Sequence, residues 1–131
     1  MNALLVAATV VVTCALAAYS VSFIRLASSR RAGPGVRGWQ TAGAGLDIAA
    51  TVMMIAGSRR IPLTWHGCLG YTALSLMLAE TVALWVRRSR RGPAAPVKRN
   101  LFRYSAGAYA FWCLTYVAGA VSAIVVARGG R

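Results

Sequence analysis

Two carboxylic acids and one histidine carry the clearest capacity for chemistry in this 131-residue chain. Asp47 and Glu80 are its only acidic side chains, and His66 is its only imidazole. Both acids sit in apolar surroundings, Gly45-Leu46-Asp47-Ile48-Ala49 and Leu78-Ala79-Glu80-Thr81-Val82. An ionised side chain at the centre of a membrane helix costs about 3 kcal/mol or more, so neither acid is there by accident. Two readings stand side by side. In one the acids form a proton or cation site; in the other each bonds a neighbouring Thr, Ser or Tyr and fixes helix packing. With no Lys or Arg at their depth, two facing carboxyls would not both ionise, and the pair is expected to keep a proton.

His66 precedes Glu80 by fourteen residues. On a helix that spacing leaves the two about 40° apart around the axis and about 21 Å apart in height, on one stripe. Met53 and Met54 lie near the end of the preceding apolar segment, at a depth matching His66. Imidazole and thioether together could be the axial pair of a b-type haem, with His66 as the iron ligand. Read separately, His66 beside Trp65 is an interfacial polar residue and the methionines are packing. Tyr109, Trp112 and Tyr116 follow i, i+3, i+7 spacing and make one aromatic face. That face serves either as an interhelical packing stripe or as a flat wall for a planar ligand such as a porphyrin.

The elements that must position these residues follow from composition. The chain is 58% hydrophobic and has a net charge of +13. Its cations are separated by apolar blocks about 20 residues long, which excludes a soluble nucleic-acid binder and a soluble globular domain. The blocks run over residues 2–24, 39–57, 65–86 and 104–127, each near the length that crosses a bilayer as helix. The expected architecture is all-α: one membrane domain over residues 1–131, an antiparallel bundle of four transmembrane helices, without the polar alternation of a membrane barrel. Gly43, Gly45, Gly67, Gly70, Gly107 and Gly119 leave room on those helices for close approach. Pro34, flanked by glycines, and Pro93 and Pro96 mark the first and third connectors as irregular.

Eleven of the fifteen Lys and Arg residues fall between spans one and two or between spans three and four. The positive-inside rule then puts those connectors in the cytoplasm and both termini outside, in a bacterial inner membrane. The basic excess is accounted for by topogenesis and by attraction to anionic lipid headgroups, with no nucleic acid partner. Residues 1–8 have no positive charge ahead of the small-residue stretch Cys14-Ala15-Leu16-Ala17, so the first block reads as a span and not as a cleaved signal peptide. Cys14, Cys68 and Cys113 occupy three different spans and show no disulfide or zinc spacing. No phosphate loop or Ser, His and Asp arrangement appears, and no enzyme activity is expected.

Taken together, Trp39, Asp47, Thr51, Met54, His66-Gly67, Gly70, Leu76-Met77-Leu78, Trp85, Tyr104-Ser105 and Trp112 resemble the small four-helix bacterial proteins of the haem-sensing membrane protein A (HsmA) family. The resemblance runs from Trp39 to Gly119, with Tyr19 a weaker match. It implies haem binding and a role in sequestering haem and limiting haem or oxidative stress. The chain departs from the family where further histidines stand near the cytoplasmic span ends; here those places hold Gln40, Glu80 and Arg103. Membrane cytochromes b stack two haems on ligands fourteen residues apart, so Glu80 in place of a histidine leaves at most the outer site. Three function classes therefore enter the structural comparison. They are a haem-binding protein using His66 with Met54 or Met53; an accessory subunit of a larger respiratory or photosynthetic membrane complex, or a homodimer; and a small proton-coupled transporter using Asp47 and Glu80.

Overall fold

The computed structural model describes residues 3–58, 64–92 and 96–129. Four helices account for nearly all of them: α1 (Ala3–Ser29), α2 (Pro34–Gly57), α3 (Trp65–Arg91) and α4 (Arg99–Gly129). Three of the four, α1, α3 and α4, are long and apolar enough to cross a membrane. With 24 residues α2 has the length, but Gln40, Thr41, Asp47, Thr51 and its glycines dilute its apolar content. Gln40 and Asp47 are tolerated because they face inward. Val36, Gln40, Gly43, Ala44, Asp47 and Ala50 are buried at i, i+3 and i+4 intervals along a single stripe.

Every helix outruns its apolar block at the basic end. There α1 continues to Ser29, α3 to Arg91, and α4 begins at Arg99. Arginine is a good helix former whose long side chain keeps its charge in the headgroup layer, so the apolar boundary does not stop the helix. The first connector is shorter than expected: Pro34 belongs to the first turn of α2, with Gly33 as its N-cap. Proline suits that position because the missing N–H would have no intrahelical acceptor. Thr64 caps α3 by accepting a hydrogen bond from Gly67 N at 3.1 Å. Gly92, at φ 94°, ends the same helix in a conformation that costs glycine little. Pro93, Arg59, Arg60 and Arg131 lie outside the described residues.

Consecutive helices run antiparallel, as their cross-contacts show. A Cβ on Gly57 would meet Leu5, one on Gly43 would meet Tyr19, and Ser22 donates to Val36 O, so α2 descends along α1. Trp85 donates to Thr41 Oγ1 at 2.9 Å between α3 and α2. Tyr104 donates to Leu76 O at 2.9 Å between α4 and α3. Hydroxyls outside the core are satisfied locally: Thr9, Thr13, Thr72, Ser75 and Ser122 each donate to the carbonyl four residues back.

The first and third connectors meet at the same end of the bundle. Val97 N donates to Arg30 O at 2.8 Å, Arg31 and Pro96 form an isolated bridge, and Arg87 caps Pro96 O with its guanidinium. Beneath them Leu26, Ala32, Val36 and Leu84 form a small apolar core with Val97, Leu101 and Phe102. A larger core at mid-height contains Ala15, Tyr19, Ala73, Met77, Ala108 and Trp112, with contributions from α1, α3 and α4.

Candidate functional site

Asp47 is held at the heart of the bundle, 5% exposed, on the inward stripe of α2. Its Oδ2 accepts two hydrogen bonds, from Tyr19 Oη at 3.2 Å and from Trp112 Nε1 at 2.8 Å. The two donors come from α1 and α4, so one carboxyl ties three helices together. The donors also brace each other, with their rings edge to face at 5.2 Å. Access for Tyr19 depends on Gly43, one turn from Asp47: a Cβ there would stand 2.6 Å from Tyr19 Cδ1 and 2.8 Å from Cε1. Asp47 thus makes helix-fixing bonds of the kind the structural reading expected, one to a Tyr and a second to an indole, which that reading did not name.

Glu80 is buried more deeply, 3% exposed, but is not similarly held. Its Oε2 has no hydrogen-bond partner. Ser105 on α4, 0% exposed, lies beside the carboxyl with its Oγ also unpartnered. Gln40 Nε2, on the same α2 stripe as Asp47, is a third buried polar atom without a partner. Tyr19 lies within electrostatic reach of both acids and donates only to Asp47. The two carboxyls therefore share a neighbour, and among the described residues no hydrogen bond joins one to the other. A buried, unsatisfied polar atom in a protein interior costs about 1–3 kcal/mol and calls for a water, ion or ligand to complete it.

His66 points elsewhere. Its imidazole packs on α4, where a Cβ at Gly119 would stand 2.8 Å from Cε1 and 3.0 Å from Nε2. Its Nδ1 is buried without a partner. Met54 is 36% exposed and Met53 half-buried, and no described contact links either to His66. A haem iron needs open approach to an imidazole nitrogen with a porphyrin's width around it. His66 instead presents Nε2 to the backbone of α4, so the residues as arranged do not fit a haem. Among the described residues no group of three or more His, Cys, Asp or Glu could hold a metal ion.

The aromatic face of α4 is a seam with α1. Tyr109 Oη pairs with Ser20 Oγ at 2.6 Å and its ring stacks on Phe23 at 4.9 Å. Tyr116 Oη pairs with Thr13 Oγ1 at 3.0 Å and its ring stacks on Trp112 at 5.8 Å. Rings committed to α1 on one side cannot also offer that side to a porphyrin, and packing is the use the structure makes of them. Cys14, Cys68 and Cys113 are free thiols.

Comparison with protein-family models, with curated proteins and with solved structures finds no match to this chain. The site residues that a reading of the acids alone passes over are Ser105, Gln40 and above all Tyr19. A signal for Tyr19 existed, a single Tyr in an Ala- and Val-rich span opposite a glycine-bearing one, but spacing within one helix does not disclose a partner on another.

Proposed function

We propose that this is a small integral membrane protein that binds a proton or a monovalent cation at Glu80, with Asp47 as the fixed anchor of the bundle. The observation that carries the reading is the contrast between two buried acids. Asp47 accepts two hydrogen bonds at Oδ2, whereas Glu80 leaves Oε2 without a partner beside the Ser105 hydroxyl. A carboxyl oxygen and a serine hydroxyl are hard oxygen donors suited to a proton, a water or an alkali cation, and carboxylates within spans commonly mark ion or proton paths. Coupling to transport of a substrate is the natural use of such an exchangeable group, and an acid clamped by two donors is a poor candidate for it. The orientation that goes with this reading has the first and third connectors in the cytoplasm of a bacterial cell, with Glu80 in the half of the bundle nearer to them.

Infrared difference spectroscopy on the purified protein tests it. Exchange of sodium or potassium for a large organic cation, or a change of pH, is expected to alter a carboxyl C=O band that Glu80→Gln removes and Asp47→Asn leaves in place. A spectrum unchanged by Glu80→Gln would end the proposal.

A second reading, haem binding in haem buffering or electron transfer, is supported by the resemblance to HsmA proteins and by the unclaimed Nδ1 of His66. It requires the imidazole to leave Gly119. An absorption spectrum of the purified protein with added haem tests it. A Soret band lost in His66→Ala would support it, and a band unaffected by that substitution would count against it. A role as accessory subunit draws on the small residues of the spans and on how little of the chain lies outside the four helices. Co-migration with a larger complex after mild detergent extraction supports that role, and a chain that always migrates alone opposes it.

A further inference from the structure

We propose that the face of α3 around Trp85 is a seat for an anionic phospholipid, its phosphate held by Arg88 and Arg90 and an acyl chain laid along Val82 and Val86. A shallow concavity of about 540 Å³ runs there, lined by Thr81, Val82, Trp85, Val86, Ser89 and Arg90. These residues recur at i, i+1, i+4, i+5 and so form one stripe, apolar toward mid-membrane and polar at the basic end. That order matches a lipid, with its chain below and its headgroup above. Trp85 sits at the junction, 40% exposed, and its indole N–H is fixed on Thr41 Oγ1 so that the ring is held in one orientation.

Charge complementarity identifies the headgroup. Two guanidiniums stand over the Trp85 ring, Arg37 at 5.0 Å and Arg88 at 5.6 Å from its centroid. Burial first, and then the charge of Arg88, lower the pKa of Arg37 from its ordinary value, and Arg37 Nε already donates to Ala32 O at 3.1 Å, which leaves Arg88 as the guanidinium beside Trp85 that is free to take an anion. No side-chain carboxylate can neutralise them, because Asp47 and Glu80, the only two acids in the chain, are both buried inside the bundle. Other cations at this end are already engaged: Arg87 on Pro96 O and Arg30 over the Phe102 ring at 3.5 Å. A guanidinium fork matches a phosphate in geometry as well as charge. A zwitterionic lipid would add an ammonium to a cluster that already lacks anions, and basic sites on the cytoplasmic side of membrane helices characteristically take cardiolipin-type headgroups.

The test uses the full chain in nanodiscs of phosphatidylcholine doped with cardiolipin, with retained lipid counted by native mass spectrometry. Arg88→Gln/Arg90→Gln is expected to lower cardiolipin retention about ten-fold or more, since it removes the two charge-assisted guanidinium contacts proposed for the phosphate itself. Lys98→Gln/Arg99→Gln removes the same charge from exposed positions at the start of α4 and is expected to change retention less than about two-fold. Val82→Trp, which fills the concavity without touching a charge, is expected to lower retention as well. Equal losses in the two charge pairs, retention unaffected by Val82→Trp, or phosphatidylcholine held as tightly as cardiolipin would each overturn the proposal.

Discussion

At the scale of single residues, Asp47 and Tyr19 form a junction whose tolerance is set by one hydrogen atom. The Tyr19 ring cannot retreat from Gly43, because its hydroxyl is bound to Asp47 and its ring packs on Trp112. Gly43→Ala is therefore expected to destabilise the protein by about 1–3 kcal/mol, the usual cost of overpacking. Thermal unfolding in detergent measures it, and in a Tyr19→Ala background the same substitution should cost almost nothing, since the clash is with that ring. Trp112→Phe removes one of the two donors to Oδ2 while keeping most of the ring area. A loss of about 0.5–1.5 kcal/mol is expected, and combining it with Tyr19→Phe should cost more than the two single losses added, because the carboxyl is then left bare. Much of this was legible beforehand in type but not in pairing. Two acids in apolar segments announce buried polar chemistry, while their partners on α1 and α4 are set by helix rotation and register, which the local pattern does not encode.

Among the elements, α2 is the one that depends on the others. Its stripe of Gln40, Gly43 and Asp47 is buried because α1 packs along it, with α3 beside it and the Trp112 side chain of α4 reaching Asp47, and its apolar content alone does not commit it to a bilayer. In a translocon integration assay on isolated segments, α1 and α4 are expected to integrate and α2 to integrate poorly. Asp47→Leu should rescue α2 by about 3 kcal/mol, the span-centre cost of the carboxylate on the biological scale. Failure of Asp47→Leu to improve integration would mean that its glycines, not its acid, limit it. The contrast explains what the four apolar blocks disclosed and what they hid. Block length located all four helices, since twenty apolar residues suffice to form one. Helix ends were hidden because capping, proline placement and arginine tolerance act outside the apolar pattern, as Pro34 in the first turn of α2 demonstrates.

For the whole molecule, the decisive geometry is that the two most basic connectors meet. The bond from Val97 N to Arg30 O and the contact of Arg87 with Pro96 join them at one end, so their charges act on topology as a single block of eleven cations against four elsewhere. In a variant with Cys14, Cys68 and Cys113 replaced by alanine, single cysteines at exposed Ser89 and Thr64 report the two ends. A membrane-impermeant maleimide applied to intact cells is expected to label Thr64→Cys and to reach Ser89→Cys only after permeabilisation. The reverse pattern would invert the molecule and move Glu80 to the outer half, and the proposed proton or cation would then reach it from the other side. Replacing Arg87, Arg88, Arg90 and Arg91 with glutamine should then give labelling of Ser89→Cys in a fraction of intact cells. With those four removed, the connector between α3 and α4 keeps only Lys98, Arg99 and Arg103 to hold it inside.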